Sequence, residues 1–119
     1  MWPFRGRSRG GAAVAVPTVD VGQAYARTKR GATLVDVRSP REFAYAGRPR
    51  GAVNVPPRLI KEDRTGLRRD EEILVICLSG HRSVRQARRL VEMGFTDVTD
   101  VRGGLLAWRR AGLPTQRQG

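Results

Sequence analysis

A chain of 119 residues suits one domain with one core, and its 29% charged and 39% hydrophobic residues fit a folded, soluble protein rather than a disordered one. A single cysteine, Cys77, and a single histidine, His81, exclude an intrachain disulfide and a zinc site built from the Cys and His of one chain, and no segment approaches the roughly eighteen apolar residues of a membrane span. The formal net charge is +12, yet aromatics are only 6% and no basic-aromatic motif accompanies the arginines, so neither a nucleic acid nor a membrane is an expected partner.

Residues 1–13 read as a flexible basic tail. The apolar run Ala12–Val16 before Pro17 is too short for the core of a signal peptide, and a cytoplasmic protein is expected. Val14–Val19 is the first expected strand. Asp20, with Gln23 three residues on, caps a helix from Val21 to about Arg30, which Gly31 ends. Thr33–Val37 is β-branched and apolar and predicts a strand. Ser39 caps a second helix, with Pro40 in its first position and Glu42 three residues past the cap, and Gly47–Pro49 breaks it.

Ala52–Val55 is a short strand, and Pro56-Pro57 opens a short helix to about Arg64. Glu72–Ile76 holds the run Ile73-Leu74-Val75-Ile76, which suits a strand buried on both faces. Ser83 and Gln86 resemble another capping pair, opening a helix to about Met93. Its apolar face is Val84, Ala87, Leu90 and Val91. Asp97–Val101 and Gly104–Ala111 are the last strand and helix. This alternation predicts an α/β fold: a central parallel sheet of about five strands with helices on both faces, over residues 14–114, followed by a short tail at 115–119.

The informative segment is Cys77-Leu78-Ser79-Gly80-His81-Arg82-Ser83, between the most apolar strand and the following helix. Ligands of parallel α/β sheets bind beyond the carboxyl ends of the strands. A helix start there offers unpaired N–H groups and positive dipole charge, which stabilise a thiolate. Gly80 lets the backbone turn inward, and Arg82 adds a fixed cation. The parts fit a nucleophilic Cys77 beside an anion-binding cradle. The plain alternative for Cys77 is a small buried residue ending a core strand.

Four segments together resemble a single-domain rhodanese, a sulfurtransferase. Cys77, Gly80, Arg82 and Ser83 match that family's Cys-x-x-Gly-x-Arg-Ser loop. Asp36-Val37-Arg38 with Glu42-Phe43 is similar to its Asp-Val-Arg…Glu-Phe segment, and Gly51-Ala52-Val53-Asn54-Val55-Pro56 to its Gly-Ala-x-Asn-x-Pro segment. Gly103-Gly104…Trp108…Gly112-Leu113-Pro114 is similar to its C-terminal pattern. One departure stands out: Arg48 occupies the place of the histidine in the family's usual Gly-His-Ile.

The resemblance implies sulfur transfer through a persulfide on Cys77, with no metal and no organic cofactor. A small anionic donor such as thiosulfate and a thiol or protein acceptor are the partners it implies. The loop residues Leu78, Ser79, Gly80, His81, Arg82 and Ser83 are expected to cradle the persulfide's charge. Arg82 is a candidate for holding the donor's oxygens or for pinning the loop. His81 is expected to face solvent, and Ser83 to act as a cap whose hydroxyl could also face the loop. Asp36, Arg38 and Glu42 are expected to support the site by ion pairing and capping, and Trp108 to pack in the core. The alternatives are a persulfide carrier without turnover or an anion-docking interaction module. A Cys-dependent phosphatase or arsenate reductase ranks lower, because Cys77 and Arg82 are separated by four residues where those loops have five.

Overall fold

The computed structural model describes residues 15–117. Its elements run β1 Thr18–Val19, α1 Val21–Thr28, β2 Thr33–Asp36, α2 Pro40–Tyr45, β3 Arg48–Pro49, β4 Val53–Asn54, α3 Pro57–Lys61, β5 Ile73–Ile76, α4 His81–Glu92, β6 Val98–Val101, α5 Gly104–Arg110 and β7 Thr115–Gln116. Five strands form one parallel sheet in the order β1-β6-β5-β2-β4, as the alternation of elements predicts. β4 flanks β2 on one side and β5 on the other, so the loops leaving β2 and β5 diverge and open a crevice at the carboxyl end of the sheet.

The sheet is covered on both faces because its central strand is apolar on both. Ile73, Val75 and Cys77 join a cluster with Val35, Val37, Ile60, Ala87, Leu90 and Val98, on the side of α3 and α4. Leu74 and Ile76 join Ala24, Leu34, Val101, Leu105 and Trp108, on the side of α1 and α5. The inner strands β2, β5 and β6 thus feed both cores by simple alternation. Trp108 is 1% exposed, and its indole N–H donates to the Pro114 carbonyl at 2.8 Å.

Two capping boxes form as the sequence predicts. Asp20 accepts from the Gln23 N–H while Gln23 reaches back to the Asp20 N–H. Ser39 and Glu42 do the same at the start of α2. Four expectations need correction. The first strand is only Thr18–Val19; Val14 and the basic tail 1–13 lie outside the described residues, as do 118 and 119. The short third helix closes at Lys61 rather than about Arg64. The helix after Cys77 begins at His81, not after a Ser83 cap: Gly80, at φ +100°, is the residue that turns the chain into the helix. Thr115–Gln116, placed outside the domain by the sequence, pairs antiparallel with Arg48–Pro49.

Candidate active site

Cys77 follows β5 directly, and its side chain is 1% exposed. The left-handed turn at Gly80 brings that residue's N–H to 3.0 Å from Cys77 Sγ. Starting the helix at His81 places Ser83 within the first turn, fully buried, with its hydroxyl 3.4 Å from the same sulfur. The first-turn N–H groups of α4 have no partner within the helix and lie at its positive end. The carbonyls of Cys77 and Leu78 point away, accepting from the Leu105 and Leu106 N–H groups of α5 at 2.8 and 3.0 Å. The Gly80 N–H therefore faces the sulfur, and the carbonyls of Cys77 and Leu78 are occupied by α5 behind it.

That backing requires Gly104. It sits at φ +61°, and a Cβ there would lie 2.5 Å from the carbonyl oxygens of both Cys77 and Leu78. Gly103 and Gly104 carry weight in the sequence as a motif, but the reason is steric and appears only in the packing of α5 against the cysteine loop.

Arg82 and Glu42 meet across the crevice. The guanidinium donates from Nη1 and Nη2 to the two carboxylate oxygens at 2.9 and 3.1 Å. This hydrogen bonding to Arg82 holds the Glu42 carboxyl down at about 2, with the capping bonds from Ser39 adding to it against a small cost of burial. Glu42 thus closes the α2 cap and also holds Arg82, at the end of the cysteine loop. His81 is exposed, with Nδ1 3.1 Å from the Ser79 hydroxyl.

Asp36 and Arg38 form a buried pair, each side chain 1% exposed. Arg38 donates from Nε and Nη2 to the carboxylate, and Nη2 also donates to the Gly47 carbonyl at 2.7 Å. Asn54, which the sequence leaves without a role, donates from its amide to the carbonyls of Asp36 and Arg38 and so ties the β2 loop to β4. Arg48 stacks on the Phe43 ring at 4.6 Å and donates to the Phe43 carbonyl, while Arg109 donates to the Ala46 carbonyl. Three guanidiniums therefore satisfy the carbonyls around the end of α2.

Asp100 is the buried polar residue that sequence reasoning passes over. It is 2% exposed on β6, and burial pushes its carboxyl up from the ordinary range; the Ser83 hydroxyl beside it and the charge of Arg102 offset this in part. Among the described residues, no three Asp, Glu, His or Cys side chains gather as a metal site needs, and no helix is long and apolar enough to cross a membrane.

A buried cysteine in a loop at the carboxyl end of a five-stranded parallel sheet marks a candidate active site, and comparison with known proteins supplies the family. The Rhodanese-like domain model matches residues 20–111, and the chain belongs to that family. A senescence-associated protein DIN1 of Raphanus sativus is 36% identical over 118 residues, covering 88% of this chain and 64% of that protein; the chain thus spans a little under two thirds of that relative's length. A thiosulfate sulfurtransferase GlpE of Actinobacillus pleuropneumoniae is 37% identical over 86 residues, 72% of this chain and 79% of that enzyme. The crystal structure of a rhodanese-related protein from Thermoplasma volcanium superposes with a TM-score of 0.76 at 30% identity, covering 84% of this chain and 97% of that one.

Proposed function

We propose that this protein is a rhodanese-type sulfurtransferase that moves a sulfane sulfur from thiosulfate, or a related persulfide donor, to a thiophilic acceptor through a persulfide on Cys77. The observation that carries this reading is the buried Cys77 sulfur with the Gly80 N–H at 3.0 Å and the Ser83 hydroxyl at 3.4 Å. The Cys77 thiolate attacks the outer sulfur of thiosulfate. A new S–S bond forms, the sulfur–sulfur bond of the donor breaks, and sulfite leaves with its electron pair. The persulfide carries one negative charge, as the thiolate did, so the same N–H donors serve both states. Attack by an acceptor, such as cyanide or a cellular thiolate, removes the outer sulfur and restores the thiolate.

The site favours a slim donor. The sulfur is buried, so the donor must present its terminal atom end-on. Arg82 is already held by Glu42 through both terminal nitrogens, which makes it a pin for the loop more than a free hand for the donor. His81, exposed at the rim, would meet the acceptor before the donor. A cytoplasmic setting suits a lone unpaired cysteine that must stay reduced.

Intact-protein mass spectrometry tests the proposal. With thiosulfate, the wild type gains the mass of one sulfur and Cys77→Ser does not; added cyanide discharges the adduct and releases thiocyanate. An adduct that forms but turns over poorly would point to a persulfide carrier. No adduct with either thiosulfate or glutathione persulfide would overturn sulfur transfer.

A further inference from the structure

Two polar side chains from two elements, Ser83 of α4 and Asp100 of β6, lie behind the nucleophile. Cys77, Val75 and Ile73 face the α4 side of the sheet, and so does Val98 of β6. Asp100 lies two residues beyond Val98, in register with Val75, so the alternation of β6 turns its side chain to that same side. Ser83 and Gln86, one helical turn apart, are the polar residues among those α4 buries. The Ser83 hydroxyl lies 3.4 Å from Cys77 Sγ, and its interaction with the Asp100 carboxyl holds that group down against burial.

The acid is hard to explain by packing. Asp100 Oδ1 is buried with no hydrogen-bond partner, and so is Gln86 Oε1. A buried carboxylate with an open acceptor position costs stability, and strand position 100 would pack well with an uncharged residue. The surrounding charges are few. Cys77 approaches from β5, and Arg102 sits two residues along the chain, its guanidinium turned to the Thr18 hydroxyl of β1 at 3.3 Å. The buried face of α4 presents the uncharged Ser83, Gln86, Ala87 and Leu90, and its first turn brings in the Arg82 guanidinium, whose charge acts on Cys77. Asp100 Oδ1 is thus a buried acceptor without a donor, beside a serine that touches the thiol.

We infer that Asp100 is a positioning residue that takes up the thiol proton of Cys77 through Ser83. The Cys77 S–H bond breaks as its proton passes to Ser83 Oγ. The original Ser83 O–H proton passes to Asp100, where a new O–H bond forms. No charge is created: a thiol and a carboxylate become a thiolate and a carboxylic acid. The electron pair stays on Sγ, ready to attack. Ser83 then donates to the thiolate instead of accepting from the thiol. When the thiolate attacks, the proton stays on Asp100, away from the sulfur. Burial of Asp100 raises its affinity for that proton, and the Gly80 N–H and the start of α4 lower the cost of the thiolate. The inference deepens the reading of Cys77 as the nucleophile and rests on it.

The test uses the fact that Cys77 is the chain's single cysteine. The rate of its alkylation by iodoacetamide is followed against pH in the full-length protein, for wild type, Asp100→Asn and Asp100→Ser, with thermal melting as the check on folding. This readout needs no sulfur transfer, whereas the persulfide and thiocyanate measurements need no Asp100, so the two ideas fail separately. The two explanations of Asp100 have opposite signs. As a mere negative charge it would disfavour the thiolate, and its removal would speed alkylation below neutral pH. As the proton acceptor it keeps part of the population as thiolate while the pair still holds one proton. Its removal then slows alkylation by about tenfold near pH 6. On a Ser83→Ala background the same Asp100→Asn change should have no further effect, because the link is already cut. Alkylation of both Asp100 variants at or above the wild-type rate near neutral pH and below would overturn the inference.

Discussion

Glu42 and Arg82, forty residues apart in the chain, join the start of α2 to the cysteine loop through two hydrogen bonds of 2.9 and 3.1 Å. The pair fixes the guanidinium of the loop against a different element, so the cradle's shape depends on α2. In Glu42→Gln the cap can remain while the charge is lost. Thiosulfate turnover should fall about tenfold, because a slightly misplaced loop is costly to a reaction that needs aligned atoms. Stability should fall by about 1 kcal/mol or less, since both side chains are partly exposed and screened. Steady-state kinetics and melting separate the two effects.

The same carboxyl sets a pH signature. Its folded value, about 2, lies below the ordinary 4.5. The pair's contribution is therefore complete above 4.5 and is lost as pH falls toward about 2. The difference in melting temperature between wild type and Glu42→Gln should stay constant from neutral pH down to about 5 and shrink below it. A difference that vanished already near pH 6 would contradict the ion pair.

Asp100 predicts the opposite slope. Burial raises its carboxyl, so folding favours the protonated form, and ionisation costs stability as pH rises from the ordinary 3.8 through the raised folded value. Asp100→Asn should melt higher than wild type at neutral pH, with the gain disappearing in acid. A lower melting temperature at neutral pH would show that the carboxylate holds the fold together rather than serving the thiol.

Arg38 tests the buried support of the β2 loop. Removing it as Arg38→Leu leaves the Asp36 charge unpaired at 1% exposure and frees the Gly47 carbonyl. The expected loss is about 3–5 kcal/mol in urea unfolding. Asp36→Leu together with Arg38→Leu should recover part of it, because the stranded charge is gone.

Gly104 and Gly112 make a matched pair of probes. Both have positive φ, +61° and +72°, but only at Gly104 does a Cβ meet backbone, the carbonyls of Cys77 and Leu78 at 2.5 Å. Gly112→Ala should cost about 1 kcal/mol of conformational strain. Gly104→Ala should cost at least about 3 kcal/mol and abolish turnover, because the loop carrying Cys77 must shift.

Much of this was written in local sequence. The boxes at Asp20/Gln23 and Ser39/Glu42 form between residues three apart, and the run Ile73–Ile76 declares a doubly buried strand without reference to anything distant. Ser83 shows the limit. A serine three residues before Gln86 has the look of a cap, but Gly80 can adopt positive φ and starts the helix earlier, which converts Ser83 from a cap into an inward-facing neighbour of the sulfur. The available signal was the glycine itself. Asp100 sits in Val98-Thr99-Asp100-Val101, which reads as a strand, but which side it faces and what it meets depend on its register with β5. The pairing of Arg48–Pro49 with Thr115–Gln116 is too short to carry any alternation and joins segments far apart in the chain. The Arg48 that replaces the family histidine is bound locally to Phe43. Arg48→His should therefore leave turnover within about twofold of wild type and cost less than about 1 kcal/mol in melting.

The docking of α5 behind the cysteine loop bears on the order in which the molecule becomes competent. Cys77 and the start of α4 are made well before Gly104, yet the carbonyls of Cys77 and Leu78 find their partners only in Leu105 and Leu106, and Trp108 finds its own in Pro114. During synthesis from the N-terminus, Cys77 stands for a time on an unfinished sheet. Its cradle closes only when the segment through Pro114 has been made and folded back. Until then Cys77 lacks the partners that surround it in the folded domain.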